Sequence, residues 1–219
     1  MAKNIKIAPS ILSANYMQMG KAISDLQEAG ADLIHVDVMD GSFVPNLNFG
    51  IKMVSDLRKG TTGVLDVHLM IVNPEKYIEQ FAKAGSDYIT IHYEATKEDL
   101  KTLLEKIRSF GVKSGLSIKP DTDVSVLKEL LPYCDMILIM SVYPGFGGQK
   151  FIPESLERIS QVKKYIDESG LDIDLEVDGG ITIENVGEVK RAGANVIVAG
   201  STVFNAPDMK EAITALKTL

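Results

Sequence analysis

Short runs rich in β-branched residues alternate with longer stretches of helical period along the whole chain, with a Gly or Asp at many of the joins. The runs predict strands over 5–10, 33–39, 65–70, 88–93, 113–119, 136–142, 172–178 and 195–201. The stretches between them predict amphipathic helices over 17–29, 50–58, 74–84, 97–110, 124–131, 153–169, 183–192 and 208–219. Pro74 and Pro153 suit a first helical turn, where a missing N–H costs no hydrogen bond, and Gly30, Gly85, Gly111, Gly170 and Gly193 stand where helices should stop. Strict alternation of strand and helix implies parallel strands joined by helical crossovers. Eight such units, 23 to 36 residues from one strand start to the next, fill the 219 residues and leave no length for a second domain. The expectation is an α/β fold, one (β/α)8 TIM barrel over residues 1–219. An open dinucleotide-binding sheet is the rival, but no strand is followed by GxGxxG, and the run over 145–150 fails at Lys150.

Composition narrows the partners. The 23 basic residues are outnumbered by 30 acidic ones, for a net charge of −7 with no Lys/Arg-rich run, which argues against a nucleic-acid or anionic-membrane surface. Cys134 is the single cysteine, so no internal disulfide, zinc ribbon or CxxC redox site is expected. Residues 1–7 carry two lysines and no secretory apolar stretch, and the apolar run 136–140 is far shorter than the roughly 20 residues of a membrane span. A cytoplasmic protein with no membrane partner is expected.

In such a barrel the chemistry sits where strands end and the following loops begin. All three histidines, His35, His68 and His92, fall inside predicted strands. Alternation puts His35, Asp37 and Met39 on one face of the second strand and Ile34, Val36 and Val38 on the other. The apolar face suits the helix layer, so the polar face must look into the barrel. The same logic turns Asp66, His68 and Met70 inward on the third strand, and Glu176 and Asp178 inward on the seventh. Two imidazoles and two carboxylates at one mouth are a plausible site for a divalent Zn, Fe, Mn or Co ion. The bland alternative is a hydrogen-bonded polar plug without metal. Asp66 and Glu176, one layer below, could orient the histidines or could pair with Lys6 as a structural network.

Three glycine clusters at consecutive strand ends point to phosphate handling: 141–149, 178–180 and Gly200 with Ser201. Glycine lets backbone N–H groups approach an anion, and the loops after strands 7 and 8 commonly bind phosphate in this fold. The rival reading is plain turn chemistry. The segment 144–148 also reads as a lid. Met39, Met70 and Met140 sit beside these groups and are read as a soft apolar collar around a reaction intermediate, although strand-end methionines more often only fill a core.

Six segments taken together, over 8–13, 35–41, 44–46, 66–70, 144–149 and 176–180, resemble the ribulose-phosphate 3-epimerase family in the order required, covering residues 5 to about 204. The resemblance implies a metal-dependent isomerase of the pentose phosphate pathway acting on a ketose phosphate, with one divalent ion held by His35, Asp37, His68 and Asp178. It makes Asp37 and Asp178 the acid/base pair. It brings Ser10 and His68 to the substrate and sets Gly145, Phe146, Gly147, Gly148, Gly179, Gly180, Gly200 and Ser201 around the phosphate end. Lys119 and Tyr143 depart from the commonest family wording. Epimerising carbon 3 of a ketose requires a proton removed alpha to the carbonyl and one returned to the opposite face, which two carboxylates on two sides accomplish. Rival readings are an epimerase of a six-carbon ketose phosphate such as allulose 6-phosphate, a Schiff-base aldolase using Lys119, and a non-catalytic sugar-phosphate binder. A homo-oligomer is expected.

Overall fold

A computed structural model describes residues 3–219; positions 1 and 2, the start of the predicted 1–219 span and of the segment read for a signal, lie outside the described residues. Eight strands form one parallel sheet in the order β1-β8-β7-β6-β5-β4-β3-β2. They are β1 (Lys6–Ala8), β2 (Leu33–Met39), β3 (Val64–Met70), β4 (Tyr88–His92), β5 (Lys113–Ile118), β6 (Met136–Met140), β7 (Asp174–Asp178) and β8 (Val196–Val198). The ring closes between β1 and β2 through a parallel bridge of Ser10 with His35, where the His35 amide donates to the Pro9 carbonyl at 3.1 Å. The result is the expected (β/α)8 barrel.

Its helices are α1 (Met19–Glu28), α2 (Ile51–Gly60), α3 (Ile78–Ala84), α4 (Leu100–Ser109), α5 (Ser155–Ser169), α6 (Val186–Ala192), α7 (Gly200–Phe204) and α8 (Met209–Thr218). Local sequence sets their ends. Asp99 and Asp208 accept the first free amides of α4 and α8, and Gly170 ends α5 in the left-handed region at φ 67°. The apolar stripe Leu103, Leu104 and Ile107 of α4 is buried against the outward face of β5, which is itself apolar (Leu116, Ile118), as are those of β2 and β3 (Val36, Val38, Leu65, Val67, Leu69). Truncating such an interlayer side chain to Ala costs about 2–5 kcal/mol.

Three predicted elements change, the first only in part: the helix expected over 74–84 divides into a 3-10 turn at Pro74–Lys76 and α3. The helix expected over 124–131 is instead a 3-10 turn at Val124–Leu127 and another at Leu131–Tyr133. Pro132 has no N–H to give and disfavours helical backbone at the residue before it, so eight residues cannot complete an α-helix. Its apolar residues Val124, Leu127, Leu130 and Leu131 are buried all the same. The last predicted strand, 195–201, pairs only over Val196–Val198, the last of them opposite Asp178, and Gly200 and Ser201 open the short helix α7.

Inside the barrel, inward faces stack by height. Ala8, Leu33, Tyr88, Met136, Val196 and Val198 form an apolar cluster. At the lower rim Asp174 is bonded by Lys6 at 2.7 Å, Lys3 at 3.1 Å and Asn195 at 2.8 Å. Polar side chains of β2, β3, β4 and β7 occupy the upper half, at the carboxyl ends of the strands. No helix among the described residues is long and apolar enough to cross a membrane.

Candidate active site at the barrel mouth

The pairing of β2 with β3 sets His35 beside Asp66, Asp37 beside His68 and Met39 beside Met70, so the residues of inward parity meet side by side. His35 Nδ1 lies 2.6 Å from Asp66 Oδ2, while its Nε2 has no hydrogen-bond partner and sits 3.5 Å from Asp37 Oδ1. His68 Nδ1 is 3.2 Å from the same Asp37 oxygen. The other Asp37 oxygen accepts the Ser10 hydroxyl at 2.5 Å. Asp178 ends β7, and one ligand atom from each of His35, Asp37, His68 and Asp178 falls within 4.8 Å of the others.

Burial and neighbouring charge push the two carboxylates apart. Burial alone would raise Asp37, but the imidazoles of His35 and His68 outweigh it and hold this carboxyl far below its ordinary range. Asp178 goes the other way: burial, then the negative charge of Asp37, push it up to about 6 despite both histidines. His35 loses from burial but gains more from Asp66 and Asp37, and stands well above the ordinary histidine value. A pair of carboxyl groups with such separated proton affinities can hold one proton between them, base on one side and acid on the other.

The donor set fits a divalent cation. His35 Nε2 is a fully buried nitrogen left without a partner and aimed at carboxylate oxygen, a geometry that a purely hydrogen-bonded plug leaves unsatisfied and a cation resolves. Two imidazoles with two carboxylates suit zinc or a neighbouring first-row ion. Lys6 bonds Asp174 and takes no part in the upper layer, so Asp66 acts on His35 directly, with Glu176 Oε1 3.6 Å from the same ring nitrogen. Burial and the charge of Asp66 hold Glu176 well above its ordinary value.

Ser10, Asp37, Asp178, the methionines Met39, Met70 and Met140, and Gly145, Phe146, Gly147, Gly148, Gly179, Gly180, Gly200 and Ser201 all line one cleft; His35 and His68 are fully buried and are not among its lining residues. The loop above it is tied down by Gln149, whose side-chain amide donates to the carbonyls of Tyr143 at 2.7 Å and Phe146 at 2.8 Å. Asn46 donates to the Gly145 carbonyl at 2.8 Å, joining the loops after β2 and β6. At Gly180 the backbone requires glycine: φ is 65°, and a Cβ would stand 2.3 Å from the Phe151 nitrogen. Gly147 differs, because a Cβ there meets only Leu12 Cδ2 and Ser13 Oγ, each at 3.8 Å.

Lys119 is not among the cleft-lining residues; its ammonium lies over the Phe43 ring, 3.9 Å from the centroid. Leu12, Ser13 and Gln149 line the cleft without having been singled out individually, although all three lie within quoted segments. The sequence pattern assigns no role to His92 or Glu94. His92 Nε2 is 2.9 Å from His68 Nε2, and its Nδ1 is 3.2 Å from Glu94 Oε2. The signal was available as a second histidine–carboxylate pair at spacing two, His92 with Glu94, echoing His35 with Asp37.

Comparison with known proteins agrees in fold and sequence. The chain is 54% identical over 218 residues to a ribulose-phosphate 3-epimerase of Synechocystis sp., covering 99% of this chain and 95% of that protein. It is 45% identical over 217 residues to the protein of the same name from Escherichia coli, covering 99% and 96%. The solved structure of KGPDC from Streptococcus mutans superposes with a TM-score of 0.73 at 14% identity, covering 98% of this chain and 96% of that one, a likeness of fold alone. The pattern of the Ribulose-phosphate 3 epimerase family matches residues 6–204, and this chain belongs to that family.

Proposed function

We propose that the chain interconverts D-ribulose 5-phosphate and D-xylulose 5-phosphate by moving the proton at carbon 3, with Asp37 and Asp178 as the acid/base pair. The observation that carries this reading is the convergence of two carboxyl groups, a buried one from β2 and a half-buried one from β7, whose surroundings drive their proton affinities in opposite directions. β1 and β8 stand between their strands, so the two groups approach a bound substrate from two sides. Asp37, kept ionised by its imidazole neighbours and oriented by the Ser10 hydroxyl, takes the proton on one face. Asp178, whose affinity for a proton is raised by burial and the charge of Asp37, gives one on the other. In the reverse direction the roles exchange.

One divalent ion (zinc, iron, manganese or cobalt) held by His35, Asp37, His68 and Asp178 would supply positive charge where the substrate oxygens become negative. Met39, Met70 and Met140 line the cleft between these groups and keep water from the planar enediolate, which would otherwise be reprotonated from solvent on either face. The phosphate end is met by backbone amides of Gly179, Gly180, Gly200 and Ser201, and by the start of α7, which suits an acidic chain with no lysine lining the cleft. Gly145 to Gly148 close over that end as a lid. The assembly is a homo-oligomer, which sedimentation tests.

The reading is tested by measuring bound metal and carbon-3 epimerisation on the same preparation before and after chelation. Activity falling with metal content and returning on reloading is expected. Full activity in protein shown metal-free by elemental analysis overturns the metal site.

A further inference from the structure

The loop after β2, residues 40–48, takes no part in the chemistry above, yet it runs from the strand that carries Asp37 to the segment read as a lid. Its two ends are fixed by side chains. Asp40 accepts the amides of Ser42 and Phe43 on one oxygen and that of Val72 on the other, all at 2.8 Å. Asn48 accepts the Met39 amide at 2.8 Å and donates to the Asp37 carbonyl at 3.1 Å, which clasps the end of β2 itself. The middle of the loop is pinned from within the barrel. Val44 is buried with Met39 and Met70, and the Phe43 ring lies under the Lys119 ammonium, 3.9 Å from the ring centroid.

The tip of this braced loop meets the lid at its first glycine. Gly145 lies so close that a Cβ on it would stand 3.3 Å from Val44 Cβ and 3.4 Å from Pro45 Cδ. Asn46 joins the two loops: its Oδ1 accepts the Leu47 amide at 2.9 Å, and its Nδ2 donates to the Gly145 carbonyl at 2.8 Å. The Leu47 N–H can only donate and the Gly145 carbonyl can only accept, so both ends of the carboxamide are determined. Among the described residues no other hydrogen bond joins 144–148 to the rest of the barrel, since those from Gln149 stay within the loop after β6.

We propose that Asn46 is a positioning residue whose carboxamide latches the 144–148 segment over the phosphate end of the cleft and so sets how firmly substrate is retained. The proposal rests on the lid reading given above. A lid that opens for each substrate and product needs a weak hold, and one neutral hydrogen bond shifts an equilibrium by only about fivefold.

Asn46→Asp tests the latch at nearly constant side-chain volume. The retained oxygen keeps the Leu47 amide, so the loop's own turn survives, while the second oxygen replaces the NH2 and sets two acceptors face to face at Gly145. Nitrogen-15 relaxation of the substrate-free full-length protein should give Gly147 and Gly148 backbone order parameters of about 0.85, falling below about 0.6 in the variant. KM should rise by about fivefold or more, with kcat not lowered and metal content unchanged. The added charge also repels a phosphate, so the order parameters, read without substrate, decide the matter. Asn46→Ala adds no charge and loses the turn bond as well; it should raise KM too, and loosen the lid no more than Asn46→Asp does. A larger loosening in Asn46→Ala would place the effect in the loop's own turn and overturn the latch. Order parameters already below about 0.6 in the unaltered protein overturn it without any variant. Order parameters unchanged in Asn46→Asp overturn it whatever KM does. Unaltered kinetics in Gly147→Val would instead overturn the lid itself, so the two failures are distinguishable.

Discussion

At the lower rim of the barrel Asp174 is surrounded by Lys3, Lys6 and Asn195, all within 3.1 Å, whereas at the upper rim the buried Asp37, Asp66 and Glu176 and the half-buried Asp178 have, among the described residues, imidazoles as their ionisable cationic partners. Below, burial is offset by these partners, and Asp174 is held under the ordinary carboxylate range, burial opposed by Lys6, Asn195 and Lys3. Above, His35 Nε2, Asp66 Oδ1 and both Glu176 oxygens are buried without hydrogen-bond partners. A fold does not need such unmatched groups for stability, since burying them unpaired costs free energy. The lower rim is internally paired; the upper rim, in the function proposed above, holds groups in readiness for a charge that arrives with metal and substrate. Both ends use carboxylates, and the difference lies in what faces them.

The largest effect that separates the two ends is on rate. Asp37→Asn and Asp178→Asn should each lower epimerisation by at least the roughly 10²–10⁴-fold expected for losing an acid/base group, with metal occupancy measured in each variant. Retained metal with a near-normal rate in either variant contradicts the assignment. Stability should move the other way at Asp178. Because its carboxyl is pushed up to about 6 by burial and Asp37, its contribution to stability is present below the ordinary value of 3.8 and is lost as pH rises through about 6. Thermal melts of metal-free protein should therefore show Asp178→Asn lacking a destabilisation that the unaltered chain suffers between those pH values.

A smaller effect belongs to the cleft rim. Gly147→Val should fold normally, since its Cβ meets nothing closer than 3.8 Å, but the added methyls intrude between the loop and Leu12 and Ser13. KM should rise while metal content stays constant. Unaltered kinetics would make the 144–148 segment a plain turn.

The smallest catalytic effect is expected at the lower rim. Asp174→Asn should cost about 1–3 kcal/mol in stability through lost charged hydrogen bonds, and leave kcat and KM unchanged. Since the Asp174 carboxyl is lowered in the fold, its stabilisation is present above the ordinary value of 3.8 and disappears as pH falls below it. The gap in melting temperature between variant and parent should close with acidification. A gap that persists unchanged in acid would mean the contribution is not electrostatic.

The difference between the rims also explains what could be read without coordinates. Period-two alternation in β2, β3 and β7 turned His35, Asp37, His68, Asp66 and Asp178 inward because their opposite faces are apolar. Register was not legible, since a one-residue slip is decided by strand pairing across the sheet. Over 124–131 the pattern does not distinguish an α-helix from two 3-10 turns, because apolar burial without α-helical hydrogen bonds leaves the same spacing, and Pro132 is what decides against the helix. Gly200 and Ser201 read as strand because the β-branched run before them carries no stop signal of its own. His92 is given no role by the pattern because its 2.9 Å contact is with another strand's histidine, which no local pattern encodes.

The central claim, two acids on two faces, is tested most directly by running the reaction in deuterated water under initial-rate conditions. Product should carry solvent deuterium at carbon 3, with little return of the hydrogen originally there, because the proton taken by one carboxylate is not the one delivered by the other. Substantial transfer of the original hydrogen into product would contradict the account and require a single base serving both faces.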